Sequence, residues 1–387
     1  MDKKQNIQSK IVLAVFLLLV FGLTIAGFFA PAKERSESEN RNLAQKPEFT
    51  LAGLFAEEEK NRFTMQYENY LTDQFIGRDA WIGIKTRIEL LIGKTDINGV
   101  YFADDGYLIT KTDADAVDRE QEEKNIAALV AFIEKYQKRY GADRVHAMII
   151  PTAADILEGK LPAFAGEYDQ DALLDCLSKE LPEGCLIDSR KELNAHADEY
   201  LFYRTDHHWT ALGAYYAYRA WAEATGHEVR ELSDYAGRVG SEKFYGTLYS
   251  KVNLPMKADT VMIYDDGRNY RVEYDMSKKY SNGLFVESRL EEKDKYMVYL
   301  DGNHAMTHIV QSGTEKNGRK LLVIKDSYAH TFVPFLAQDY DEVIMIDFRY
   351  SKMPVSSITT QFGITDVLVL YNATNFIEDK NLYQLEK

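Results

Sequence analysis

The sequence predicts an α/β protein: a mainly parallel sheet with helices on both faces, preceded by one membrane-length apolar helix. Three observations predict it. Short, wholly apolar strand-like runs alternate with helical stretches in "RVHAMIIP", "RKLLVIKDSYAHTFVPFLAQ", "DEVIMIDFRY" and "TDVLVLYNATNF". Ile11 to Ala30, "IVLAVFLLLVFGLTIAGFFA", carries no charge and is long enough to cross a bilayer as a helix. Between about residues 230 and 315 the rhythm changes to short alternating segments such as "TVMIYDD" and "YRVEYDM", which read as a β-rich insertion. With 387 residues, 45% hydrophobic and 28% charged, the chain can bury a sizeable core beside the membrane segment.

Residues 1–10 read as a cytoplasmic tail and 11–30 as an uncleaved signal anchor. Lys3, Lys4 and Lys10 precede the span, whereas Lys33 and Arg35 follow it among Glu34, Glu37 and Glu39, so charge bias favours a cytoplasmic N-terminus. Everything after residue 30 then lies outside the cytoplasm, on a single-pass protein of the cell membrane. A cleaved signal peptide is the rival, because Ala30-Pro31-Ala32 has the small residues of a cleavage site; the length of the run and the proline favour the anchor. Export places Cys176 and Cys185 in a disulfide-permissive compartment, where a local bridge and two free thiols are both open.

Residues 31–95 read as a linker, "KERSESENRNLAQKPEFT", that stands the domain off the membrane, followed by two helices. Their apolar stripes are Phe63, Tyr67, Tyr70 and Leu71, then Trp81, Ile84 and Ile92. Residues 96–387 form the main domain. It opens on a hairpin, "NGVYFADDGYLIT", turning at Asp105-Gly106. A helix "EEKNIAALVAFIEKYQKRYG", ended by Gly141, feeds the strand "RVHAMIIP". "CLIDSRKEL" supplies another short strand and turn, and "TALGAYYAYRAWAEATG" a helix stopping at Gly226. In such a sheet, ligands gather at the C-terminal ends of the strands.

The formal charge of −15, from 61 acidic and 46 basic residues with no basic tract, disfavours a nucleic-acid partner. The 26 tyrosines suit sugar faces if exposed, and ordinary core positions if not.

Candidate chemistry lies at one strand end. "LLVI" runs into Lys325-Asp326-Ser327-Tyr328, which puts Ser327 at the turn into the next helix, where backbone N–H groups and the positive helix end favour a developing oxyanion. There is no G-x-S-x-G elbow, and a serine at that place is also a common cap. Its partner is "YRTDHHWTALG", residues 203–213. A histidine deprotonates a serine effectively when a buried carboxylate holds its tautomer. In an extended segment Asp206 and His208 point to one side and His207 away, which makes His208 the base, Asp206 its orienter and His207 a supporting residue. A metal site drawn from Asp206, His207, His208, His304 and His308 is disfavoured: adjacent histidines rarely share an ion, and no H-E-x-x-H occurs. No metal or other cofactor is expected.

"TDHHWT" followed downstream by "VIKDSYAHTFVPFL" resembles the DHHW protein family, related to the alginate O-acetyltransferase proteins of the AlgJ/AlgX type. "SESENRNLAQKPEFT", "YENYLTDQFIGRDAWI" and "INGVYFADDGYLI" fit the same family. The resemblance implies an SGNH-hydrolase-like, flavodoxin-like three-layer domain in which Asp-x-His precedes the serine, with Asp206, His208 and Ser327 as triad. It also implies an arginine and a tyrosine near the serine, for which Arg349 in "IDFRY" and Tyr371 or Asn372 in "VLYNATN" are candidates, with Tyr328 beside Ser327 as another. Lys325 departs from the family pattern, standing where SGNH enzymes carry glycine.

The implied activity is that of a membrane-anchored, extracytoplasmic O-acetyltransferase with a cell-surface or secreted polysaccharide as acceptor. Cytosolic acetyl-CoA does not reach such a site, so a multi-pass membrane-bound acyltransferase is the expected donor partner. The acidic domain makes a strongly anionic, alginate-like acceptor unattractive, and a neutral or mixed-charge glycan fits better. The same triad would serve a carbohydrate acetylesterase, with water as second acceptor. A non-catalytic glycan-export scaffold would instead tolerate loss of Ser327.

Overall fold

A computed structural model describes residues 3–36, 41–313 and 317–387. Glu37 and Glu39 of the linker, and the end of the β-rich segment at residue 315, lie outside them. The chain divides into two compact units, residues 1–94 with 250–255, and residues 95–249 with 256–387.

The first unit begins with helix α1, Lys3–Phe29. Its stretch Ile7–Phe29 is long and apolar enough to cross a membrane, a property that a signal sequence shares. Helices α2, Phe63–Asp73, and α3, Arg78–Leu91, follow as the periodicity predicts. Gly77 joins them at φ 68°, the left-handed conformation that a residue with a Cβ rarely adopts. The first stripe packs on itself, with Phe63 against Phe49 and Tyr67.

In the second unit, strands β1, Val100–Phe102, and β2, Leu108–Thr110, form the expected hairpin through Asp105-Gly106. Helix α4, Arg119–Tyr140, starts where the Asp118 side chain accepts from the Gln121 N–H, and stops at Gly141. Strand β3, Val145–Ile150, is wholly buried. After helix α5, Ala211–Thr225, come β4, Ala236–Phe244, β5, Asp259–Asp265, β6, Asn269–Tyr274, β7, Tyr280–Asn282, and β8, Met306–Ser312. The chain closes with β9, Lys320–Lys325, helix α6, Ala329–Leu336, β10, Glu342–Ile346, β11, Asp366–Asn372, and helix α7, Ala373–Glu378.

The central sheet has seven strands in the order β7-β6-β8-β10-β9-β11-β3. The four from β10 to β3 are parallel, with Leu322 level with Ile344 on β10 and Val367 on β11. Alternation along β9 makes the layers. Leu321 and Val323 join a core with Trp209, Trp221 and Phe332, while Leu322 and Ile324 join the opposite one with Leu129, Phe132 and Phe376. Both faces are therefore covered, which explains why these strands are apolar runs without polar alternation. Each such side chain contributes about 1.5–3 kcal/mol by leaving water.

Two expectations need correction. Residues 230–315 are only partly an insertion: β4 and β5 pair as a separate ribbon, but β6, β7 and β8 extend the central sheet antiparallel, joined through β8 and β10. The sheet is mixed as a result. In "CLIDSRKEL" the strand shrinks to a single bridge between Leu186 and Ala147, because the helix Arg190–Ala195 begins too soon to leave length for a ladder. Cys176 and Cys185 are free thiols, and burial pushes that of Cys185 up to about 11.

Candidate active site

At the C-terminal end of β9 the chain turns through Asp326, Ser327 and Tyr328 into α6. Asp326 fixes this turn. Its Oδ1 accepts from the Tyr328 N–H at 2.9 Å, and its Oδ2 accepts from the Asn372 N–H, Asn372 Nδ2 and Asn375 Nδ2 at 2.8–2.9 Å. The end of β9 is thus tied to the end of β11 and the start of α7. Ser327 is almost buried, and its backbone N–H has no acceptor among the described residues.

The "DHHW" segment is a tight loop closed by an antiparallel bridge from Phe202 to Trp209. Asp206 Oδ1 accepts from the His208 backbone N–H at 3.0 Å, an Asx turn that folds the chain back by two residues. That same oxygen lies 2.5 Å from His208 Nδ1, and His208 Nε2 lies 2.7 Å from Ser327 Oγ. Asp206, His208 and Ser327 form one hydrogen-bonded line. The spacing of two works here through a turn, and not through the extended segment that alternation assumes.

Burial alone would raise the Asp206 carboxyl; the adjacent His207 and His208 rings, the His208 hydrogen bond and the Thr247 N–H outweigh it and hold the group well below the usual carboxylate range. Thr247 donates to Asp206 Oδ2 from both its N–H, at 2.8 Å, and its hydroxyl, at 3.1 Å. His207 turns aside, placing Nδ1 2.7 Å from Thr247 Oγ1, and its carbonyl accepts from Tyr328 Oη at 2.9 Å. Trp209, wholly buried, donates from Nε1 to the Tyr328 carbonyl at 3.1 Å. The loop is thereby bound to the serine turn through His207 and Trp209.

Three supports escape a reading of the sequence, because they come from the segment between residues 240 and 300 and match no motif. Tyr296 lies flat on the His208 ring, centroids 3.8 Å apart, and its hydroxyl donates to the Ser327 carbonyl at 3.1 Å. Tyr296→Phe keeps the ring and loses this bond, so urea unfolding is expected to show a loss of about 1 kcal/mol. Asp259 accepts from the Arg204 and Thr205 N–H groups, both at 2.8 Å, and anchors the entry to the loop.

Gly246 is the third support. A Cβ there would fall 2.2 Å from Asp206 Cβ, so any side chain displaces the carboxylate. Gly246→Ala is expected to lower kcat/KM on an acetyl ester about a hundredfold, the scale of a 1 Å misplacement, with circular dichroism checking that the fold persists.

The other candidates line the same strand ends. Arg349, after β10, grips Asp347 through Nε at 2.9 Å and Nη2 at 2.6 Å. It borders a cavity of about 260 Å³ with Asp326, Tyr371, Asn375 and Asp379. Among the described residues, the buried Tyr371 hydroxyl has no partner, nor does Asp379 Oδ2. Asn372 is committed at both ends of its amide, Nδ2 to Asp326 and Oδ1 to the Asn375 N–H at 2.8 Å. Tyr328 is buried, with its hydroxyl on His207. Lys325 points into the protein, 2.8 Å from His330 Nε2 and 3.1 Å from Asp347 Oδ2, and burial pushes its ammonium pKa down.

The potential ligand atoms of Asp206, His207 and His208 lie within 4.8 Å of one another. Both His208 nitrogens and both Asp206 oxygens already have protein partners. His304 and His308 are bound elsewhere, to Asp275 and Glu342 respectively.

Residues 122–346, more than half the chain, match the family described as DHHW protein. The chain belongs to the DHHW protein family. Among solved structures, a DHHW family protein from Eubacterium siraeum is 27% identical with a TM-score of 0.62, over 75% of this chain and 96% of that one. Bacillus cereus PatB1, solved with a sulfonyl adduct, is 20% identical with a TM-score of 0.61, over 74% of this chain and all of that one. The O-acetyltransferase domain of Pseudomonas putida AlgJ is 15% identical with a TM-score of 0.45, over 74% and 98%. No curated protein sequence matches the chain. The four letters of the DHHW block have four different tasks in this structure: Asp206 orients, His207 braces Thr247, His208 reaches the serine and Trp209 docks the loop.

Proposed function

We propose that this DHHW family protein is an extracytoplasmic, membrane-anchored O-acetyltransferase with an SGNH-hydrolase-like catalytic domain, acting on a cell-surface polysaccharide. The observation that carries the reading is the hydrogen-bonded line from Asp206 through His208 to Ser327, at the strand end where α/β sheets hold their ligands. Ser327 Oγ attacks the acetyl carbonyl as His208 Nε2 takes its proton, and Asp206 holds the resulting imidazolium. The unpaired Ser327 N–H is the first donor available to the oxyanion. The leaving group departs with the proton from His208. A sugar hydroxyl, deprotonated in turn by His208, then attacks the acetyl carbonyl, and His208 returns that proton to Ser327 Oγ as its bond to the acetyl group breaks.

Arg349 and Tyr371, on the neighbouring cavity, have donors suited to a polyhydroxylated acceptor. A multi-pass membrane acyltransferase would deliver the acetyl group to the outer face, α1 being the anchor that keeps the domain there. An acetylesterase would share every step but the last. Incubating wild type and Ser327→Ala with a chromogenic acetyl ester, with and without neutral oligosaccharides, separates the two. The reading expects serine-dependent acetylation of the sugar. Serine-dependent release into water alone would make the protein an esterase, and turnover untouched by Ser327→Ala would refute both.

A further inference from the structure

We infer that the exposed face of α3 is a second membrane contact, lying in the lipid interface beside the anchor. The inference rests on reading α1 as membrane-embedded. Trp81, Ile84, Ile88, Leu91 and Ile92 are 42%, 42%, 54%, 85% and 72% exposed. At 3.6 residues per turn they fall within an arc of about 100°, a continuous apolar stripe. The opposite side of the helix is the one held by protein. Gly83 and Thr86 are buried there; a Cβ on Gly83 would come 2.9 Å from the Asn253 carbonyl, and Asn253 Nδ2 donates to the Asp79 carbonyl at 2.7 Å. So α3 is clamped by its small-residue side and displays its large apolar side chains.

Three features commit this face to lipid. The turn before α3 is tied to the end of α1: the Lys33 N–H donates to Gln74 Oε1 at 2.8 Å, and Gln74 Nε2 donates back to the Lys33 carbonyl at 2.9 Å. Lys33 follows Phe29, the last residue of α1, within about 14 Å of chain, which brings the start of α3 to the membrane surface. Residues 78–94 carry Arg78, Lys85, Arg87 and Lys94 against Asp79 and Glu89, a basic excess in a chain of net charge −15, as anionic headgroups favour. Phe75, 45% exposed, and Trp81 supply aromatic rings of the kind enriched at headgroup depth.

Trp81 reports on this directly. The other tryptophans, Trp209 and Trp221, are 0% and 2% exposed and lie in the protein core. The full chain is reconstituted in phosphatidylcholine–phosphatidylglycerol vesicles whose acyl chains carry bromine, a contact quencher of indole fluorescence. Co-flotation with the vesicles scores the anchor separately. The expected result is quenching that Trp81→Phe removes and Ile88→Glu weakens, with co-flotation unchanged. Co-flotation with equal quenching in wild type and Trp81→Phe would overturn the inference while leaving the anchor intact. A Trp81-dependent blue shift that grows with protein concentration in detergent and ignores brominated lipid would assign the face to a second copy, and also overturn it.

Discussion

Ser327→Ala is expected to lower acetyl-ester turnover by at least about a thousandfold, because it removes the hydroxyl that lies 2.7 Å from His208 Nε2 and that the proposed mechanism uses as nucleophile. What survives is the catalysis that positioning and the oxyanion donor give alone. The loss should fall on kcat and not on KM, since the hydroxyl forms its new bond only on the way to the transition state. Stability should change little: the serine backbone keeps its contacts with Tyr296 and His330, and the turn remains fixed by Asp326. A variant that is folded by circular dichroism and loses only kcat is the expected pattern. A folded variant with more than about a tenth of wild-type turnover, a gap below 1.4 kcal/mol in the barrier, would remove Ser327 from the chemistry.

Asp206→Asn is expected to cost about 10⁴-fold in kcat, the scale seen when an amide replaces the carboxylate behind a catalytic histidine and favours the wrong tautomer. In the protein, Asp206 Oδ1 accepts from both the His208 backbone and its Nδ1, and Oδ2 accepts twice from Thr247. An amide nitrogen can accept from none of these. Stability responds with a defined sign. The native carboxyl titrates below its ordinary value, so the unfolded chain binds the proton more readily and the contribution of Asp206 is complete at neutral pH. The stability gap between wild type and Asp206→Asn should therefore narrow as the pH falls below the ordinary carboxylate range of about 4. A gap that widens on acidification would contradict the ionised form of Asp206.

The candidate site residues were legible because they sit in short blocks. Asp206 and His208 are two apart, and Ser327 lies in the turn just after an apolar strand that can be read from its run of Leu and Ile. The reason for the pairing was not legible. An extended segment and an Asx turn both bring such a pair together, and only the bridge from Phe202 to Trp209 decides between them. Tyr296 and Gly246 were invisible for a different reason. Their effect depends on a ring lying on His208 and on the absence of a Cβ beside Asp206, contacts made across long stretches of chain with no local signature. The parallel strands showed in the sequence through burial on both faces. The antiparallel extension did not, since alternation in β6 and β8 fixes which face is apolar but not which strand lies alongside.

The most direct test of the proposed mechanism is to trap the acetyl-enzyme. The purified chain is mixed with an acetyl ester, quenched in acid and digested, and the peptide containing Ser327 is examined by mass spectrometry. The mechanism predicts a single acetyl group on Ser327, absent in His208→Ala, that a neutral oligosaccharide discharges faster than water does. An acetyl group on another residue, or turnover without any acetylated Ser327 at any quench time, would contradict it.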